Sequence, residues 1–275
     1  QGRTMCFVDT GYWSSMAMRE AAKHGKVHQL ASGGPLYRGI PAADGWDWGG
    51  VDMSEAAYVH TVDNETVHGV EYPSCPDAHG VPLVADMTSN IMSRPFDVSK
   101  YALVYASTQK NLGPAGITLV IVHDDYVDKA LPDTPTFMRY ETYAKCGSLY
   151  NTPPTGVWYM VSLMLDWLVA EGGVAEMAKR NAAKAKRLYA YIDASAYYRN
   201  AVDPAARSTM NVVFDLPDAT LQAGFLAMAE RMQLAGLKGH AAVGGLRASL
   251  YNAVTLDSVD ALIEMMETFK NAHPV

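Results

Sequence analysis

Four stretches of this chain are apolar almost without interruption: AAYVHTV (56–62), PLVADM (82–87), YALVYAS (101–107) and ITLVIVH (117–123). A strand with one wet face alternates apolar and polar residues. A continuous apolar run belongs to a strand covered on both faces, as when helices pack on each side of a mostly parallel sheet. TMCFVD (4–9) and VHQLA (27–31) are further strand candidates, with a helical pattern from Ser14 to Lys23 between them, and residues 32–50, rich in Gly, Pro and Asp, form a loop. This alternation predicts an α/β fold, which binds ligands outside the carboxyl ends of its strands.

The second half has a different pattern. Asn151-Thr152-Pro153-Pro154 predicts a helix start with Thr152 as cap, and the helix runs to Gly172-Gly173, a C-terminal signal. A long helix (174–192), a strand (210–216), a helix (221–234), a strand (246–251) and a closing helix (258–271) follow. They predict a small α+β domain, residues 171–275, after a large domain, residues 1–170. A net charge of -7 argues against nucleic acid as a partner. No apolar run approaches the roughly 20 residues that span a bilayer, and the start lacks a signal-peptide pattern. Cys6, Cys75 and Cys146 are odd in number and far apart, which supports neither a disulfide framework nor a zinc site. A cytoplasmic protein without a metal is expected.

Lys110 lies at the end of an apolar strand, before a Gly/Pro turn. It is either a snorkelling lysine or an amine made nucleophilic by desolvation. Asp86 ends the preceding strand, as a turn cap or as a carboxylate facing the same ligand as Lys110. Pyridoxal phosphate needs a lysine for its aldehyde and an acid for its ring nitrogen, and the two residues together suit it. Trp13 either stacks on an aromatic ring or packs in the core, and Thr66 either bonds a ring hydroxyl or closes a turn. The helix start at Asn151 and Thr152 offers free N–H groups, as every helix does. Arg247 can pair with a carboxylate, and His240, in a Gly-rich loop, can reach a substrate anion; taken alone, the two read first as an ordinary surface arginine and loop histidine. GxSxG, HExxH, GxxxxGK[ST] and GxGxxG are absent.

Longer strings say more. ADMTSNIMSRPFDVSKYALVYASTQKNLGPAGITLVIV (85–122), SLYNTPPT (148–155), RSTMNVVF (207–214) and LKGHAAVGGLRASLYNAVTL (237–256) resemble the phosphoserine aminotransferase family, class-V pyridoxal-phosphate enzymes of the aspartate-aminotransferase fold (fold type I). The resemblance covers essentially the whole chain. It implies that Lys110 forms the Schiff base, Gln109 contacts the cofactor phosphate, Asp86 holds the pyridine nitrogen, Trp13 stacks on the ring and Thr66 meets the ring hydroxyl. It further implies that Asn151 and Thr152 bind the phosphate of a neighbouring subunit's cofactor in a homodimer with shared active sites. Arg247 would hold the substrate α-carboxylate, and His240 the substrate phosphate across the dimer. The implied reaction is ping-pong transfer of an amino group between glutamate and 3-phosphohydroxypyruvate, in serine biosynthesis.

Two departures from the family pattern bear on these expectations. Family members carry a segment ahead of the strand that here begins near Thr4, with a Gly-rich phosphate loop and an Arg and His for substrate. Its absence here predicts weakened binding and exposed core. Ala241 stands where the family usually has arginine. The competing expectations are an inactive scaffold of the same fold and a transaminase for an unphosphorylated amino acid.

Overall fold

The computed structural model describes residues 2–274. In chain order the first elements are β1 (Thr4–Asp9), α1 (Tyr12–Ala21), β2 (Val27–Ser32), β3 (Ala56–Val62), β4 (Asn64–Glu65), β5 (Val70–Glu71), β6 (Leu83–Asp86), β7 (Leu103–Ser107) and β8 (Thr118–Val122). Six strands form one sheet in the order β2-β1-β3-β6-β7-β8. Neighbours are parallel from β2 through β7, and β8 closes the edge antiparallel to β7. The parallel sheet follows from the continuous apolar runs: Cys6, Val8, Val59, Leu83, Ala85, Val104 and Ala106 all enter one buried core. On the other face, the register aligns Val62 with Asp86 and Asp86 with Tyr105, so these side chains share a row.

The chain continues through α2 (Asp124–Val127), α3 (Tyr140–Lys145), α4 (Thr155–Ala170), α5 (Gly173–Ala194), β9 (Asn211–Phe214), α6 (Gln222–Arg231), β10 (Leu246–Ser249) and α7 (Leu256–Ala272). β9 and β10 pair antiparallel. Leu188, Ile192, Phe214, Phe225, Met265 and Phe269 pack with them into a second core. Gly172, at φ 98°, turns the chain between α4 and α5, as the glycine signal predicts.

Some boundaries differ from expectation. α4 begins at Thr155, with Pro154 at the N-cap and no side-chain cap, so Thr152 does not cap it. The residue before a proline is pushed out of helical backbone, and Thr152 and Pro153 each precede one. α1 begins two residues before Ser14, and the hairpin of β4 and β5 was not expected from sequence. No single helix among the described residues is long and apolar enough to cross a membrane.

The two cores meet through buried polar groups. Asn64 Nδ2 donates to Ser89 Oγ (2.7 Å) and Asn211 Oδ1 (2.8 Å). Glu71 accepts from the Thr209 N–H and hydroxyl, both at 2.7 Å. Asn181 donates to the Ser93 carbonyl (3.0 Å), and the Asn252 N–H donates to Asn111 Oδ1 (3.0 Å). Within the second half, Lys184, 2% exposed, ties α5 to the end of β10 by donating to the carbonyls of Leu250 (3.0 Å) and Tyr251 (2.9 Å).

Candidate active site

The carboxyl ends of β1, β3, β6 and β7 converge, and five of the nine residues singled out from the sequence gather there. Lys110 leaves the turn after β7 and donates to the hydroxyl of Thr66, with Nζ and Oγ1 2.5 Å apart. The same Nζ stands 6.0 Å from the centre of the Trp13 ring. Trp13 is 41% exposed, so an aromatic face is open beside a half-buried amine. Burial lowers the Lys110 amine to about 8; Arg247 pushes the same way, and Asp86 and Glu65 pull back. The cause is the loss of water around a cation that lacks a hydrogen-bonded carboxylate.

Asp86 ends β6 and accepts from the Thr88 N–H at 2.8 Å. Burial holds the Tyr105 phenol above its ordinary range, and the negative charge of Asp86 holds it there further. Tyr105 Oη lies 2.9 Å from Nε2 of buried His60, whose Nδ1 has no partner. Burial depresses this imidazole to about 4, so it is neutral at pH 7. Arg247, on β10, donates from Nη1 to the Thr66 carbonyl at 3.3 Å, while its buried Nε has no hydrogen-bond partner. An orphaned guanidinium donor beside a desolvated amine suits an arriving carboxylate.

The other four lie apart from this cluster or at its rim. His240 packs against Tyr12 of its own chain, ring centres 4.8 Å apart, and stands 6.5 Å from Trp13. Gln109 is exposed on the turn beside Lys110. Asn151 and Thr152 are exposed ahead of α4.

The sequence reading missed the supports. Glu65 is fully buried, and its two oxygens accept the backbone N–H groups of Trp13 (3.1 Å) and Ser14 (2.8 Å). Burial pushes this carboxyl up to about 7, against the pull of those N–H donors. Buried Asp9 accepts from the hydroxyls of Ser15 (2.7 Å) and Tyr37 (2.9 Å). Glu65 sits among Asp63, Asn64 and Thr66, and Asp9 closes an apolar strand, so no local pattern sets either acid apart from a turn residue.

Comparison with known proteins decides the kinship. The family model described as aminotransferase class-V matches residues 46–262. Phosphoserine aminotransferase of Coxiella burnetii is 48% identical over 97% of this chain and 73% of its own length. The solved phosphoserine aminotransferase from Bacillus circulans subsp. alkalophilus superposes with a TM-score of 0.94 at 43% identity, covering 99% of this chain and 75% of that one. The chain belongs to the phosphoserine aminotransferase family. A solved structure of PLP-bound phosphoserine aminotransferase from Trichomonas vaginalis matches at a TM-score of 0.90 and 35% identity, covering 97% of this chain and 76% of that one. This family member is a pyridoxal-phosphate-dependent aminotransferase of fold type I, as the strings around Lys110 and Arg247 implied.

Proposed function

We propose that this chain transfers the amino group between glutamate and 3-phosphohydroxypyruvate, with Lys110 as the proton-moving amine. The observation that carries the reading is the Lys110 amine itself: half-buried, beside an open Trp13 face, in contact with Thr66 and lowered to about 8. An amine poised near neutrality can take and return a proton, which an ordinary lysine does poorly. When bound, pyridoxal phosphate supplies an electron sink for the pair left on the substrate α-carbon.

The residues present fit that group. Lys110 would hold its aldehyde and carry the proton between the α-carbon and the cofactor. Asp86 would keep the ring nitrogen protonated, and neutral His60 and Tyr105 behind it leave that negative charge uncancelled. Trp13 would cover one ring face, Thr66 would meet the ring hydroxyl, and Gln109 would meet the phosphate. Arg247 would orient the substrate through its α-carboxylate, and His240 would contact the substrate phosphate.

A homodimer belongs to the same proposal, with Asn151 and Thr152 serving the partner's cofactor. It is supported by the exposed Trp158, Tyr159, Met160 and Val169 of α4, a larger apolar surface than a lone helix ordinarily presents to water. The large domain at residues 1–170, the small domain at 171–275 and a cytoplasmic location complete the proposal.

The test is to add pyridoxal phosphate, reduce with borohydride and digest. A pyridoxyl group on Lys110 alone supports the reading; labelling of no lysine, or of many weakly, refutes it. Conversion to the amine form of the cofactor by glutamate and phosphoserine, compared with alanine and serine, fixes the substrate class. Ala241 gives the unphosphorylated alternative its one foothold.

A further inference from the structure

The start of α1 is held partly from within, Ser14 Oγ accepting the N–H groups of Thr10 (2.8 Å) and Gly11 (2.9 Å), and partly from outside. α1 has no acidic residue in its first turn, and Gly11 at its N-cap has no side chain to offer. The N–H groups of Trp13 and Ser14 are instead taken by Glu65, which is 52 and 51 residues away in sequence. A carboxylate at a helix start also favours the positive end of the peptide dipoles. Glu65 lies against Gly11 so closely that a Cβ there would meet its Cδ at 2.6 Å and His68 Nδ1 at 2.8 Å.

Glu65 also leads directly into the site on its other side. Its neighbour Thr66 receives the Lys110 amine through its hydroxyl and Arg247 through its carbonyl. A single dipeptide therefore fixes the aromatic face, the amine and the guanidinium relative to one another. We infer that Glu65 is a positioning residue, a remote cap that sets the Trp13 ring over the Lys110 amine and so sets how the cofactor ring is held.

This inference rests on the aminotransferase reading, and the experiment separates the two. Glu65→Gln keeps the shape but replaces one acceptor oxygen with a donor, so one of the two N–H groups loses its partner. Gly11→Ala keeps the charge but drives a methyl into the Glu65 carboxyl, and it serves if Glu65→Gln fails to fold. Each is made alone and combined with Trp13→Ala, and pyridoxal phosphate affinity is measured along with the visible circular dichroism of the bound cofactor. Trp13 emission and its quenching by acrylamide, obtained by subtracting Trp13→Phe spectra, are recorded without cofactor.

Glu65→Gln or Gly11→Ala is expected to weaken cofactor binding about tenfold, to reduce the dichroic band and to make Trp13 more quenchable. In the Trp13→Ala background the same changes should add little, because the residue they act through is gone. Equal losses of affinity in both backgrounds, or unchanged Trp13 quenching, overturn the inference. If the unsubstituted chain fails to label at Lys110, the cofactor reading falls, and Trp13 quenching alone then decides the remote cap.

Discussion

Lys110 offers a sharp test because its environment acts on it in opposing directions. At a value of about 8, about 9% of the amine is free at pH 7, against about 0.03% for a lysine at its ordinary 10.5. Burial therefore makes the nucleophile about 300 times more available. The neighbouring charges predict shifts of opposite sign. Arg247→Gln removes a cation and should raise the midpoint, whereas Asp86→Asn removes an anion and should lower it. The assay is trace acetylation of the cofactor-free protein from pH 6 to 11, with the Lys110 peptide quantified by mass spectrometry against that of exposed Lys23. A midpoint near 10 in the unsubstituted chain refutes the desolvation argument. Shifts of the same sign in both variants refute the assignment of the two charges.

Three further predictions concern the groups around the site. Arg94→Ala strips the charged partner from Asp63, 2.9 Å away and nearly inaccessible, leaving Asn90 as a neutral donor, and should cost about 3 kcal/mol in urea unfolding at pH 8. Asp63 is itself pushed up to about 6 by burial, so the deficit should shrink by pH 5, where the acid is neutral; a constant deficit refutes this. Lys184→Met removes a cation whose burial costs about 3 kcal/mol but orphans two carbonyls at about 1–3 kcal/mol each, so its stability at pH 7 should stay near that of the unsubstituted chain. Lys184 releases its proton near 8 when folded and near 10.5 when unfolded; stability of the cofactor-free chain should rise with pH between these values, and Lys184→Met should remove about half of that rise, leaving the Lys110 part. Gly239→Ala places a Cβ 1.9 Å from the Gly244 carbonyl, so it should displace the loop carrying His240 and raise KM for the phosphorylated substrate; an unchanged KM refutes this.

The inner strands of the sheet were legible because their apolar runs are continuous; the edge strand β8, with Thr118 and Val120 exposed, is less covered than its run predicts. Thr4–Asp9 and Ala56–Val62 match their predicted bounds residue for residue. The strands of the smaller hairpin are shorter than predicted: Met210 and Leu216 are buried just beyond the paired residues 211–214, and Met210 keeps one bond, its carbonyl accepting the Leu250 N–H at 2.7 Å. The start of α1 was not legible for a specific reason: its cap comes from Glu65, and no local pattern reports a partner 51 residues away. The gathering of Lys110, Thr66, Trp13 and Arg247 followed from the resemblance and from strand ends lying side by side. The acids that support them are visible only once the strands are brought together.

The junction between the two cores has a mechanical consequence. Oily surfaces can slide over each other by fractions of an ångström at little cost. The amides of Asn64, Asn211, Asn181 and Asn111 cannot, because each bond they make across the junction is lost within a small displacement. The half of the molecule carrying Arg247 therefore cannot creep towards the half carrying Lys110. It either stays in register or jumps to another set of bonds, so the spacing offered to a substrate changes in steps, like the teeth of a ratchet.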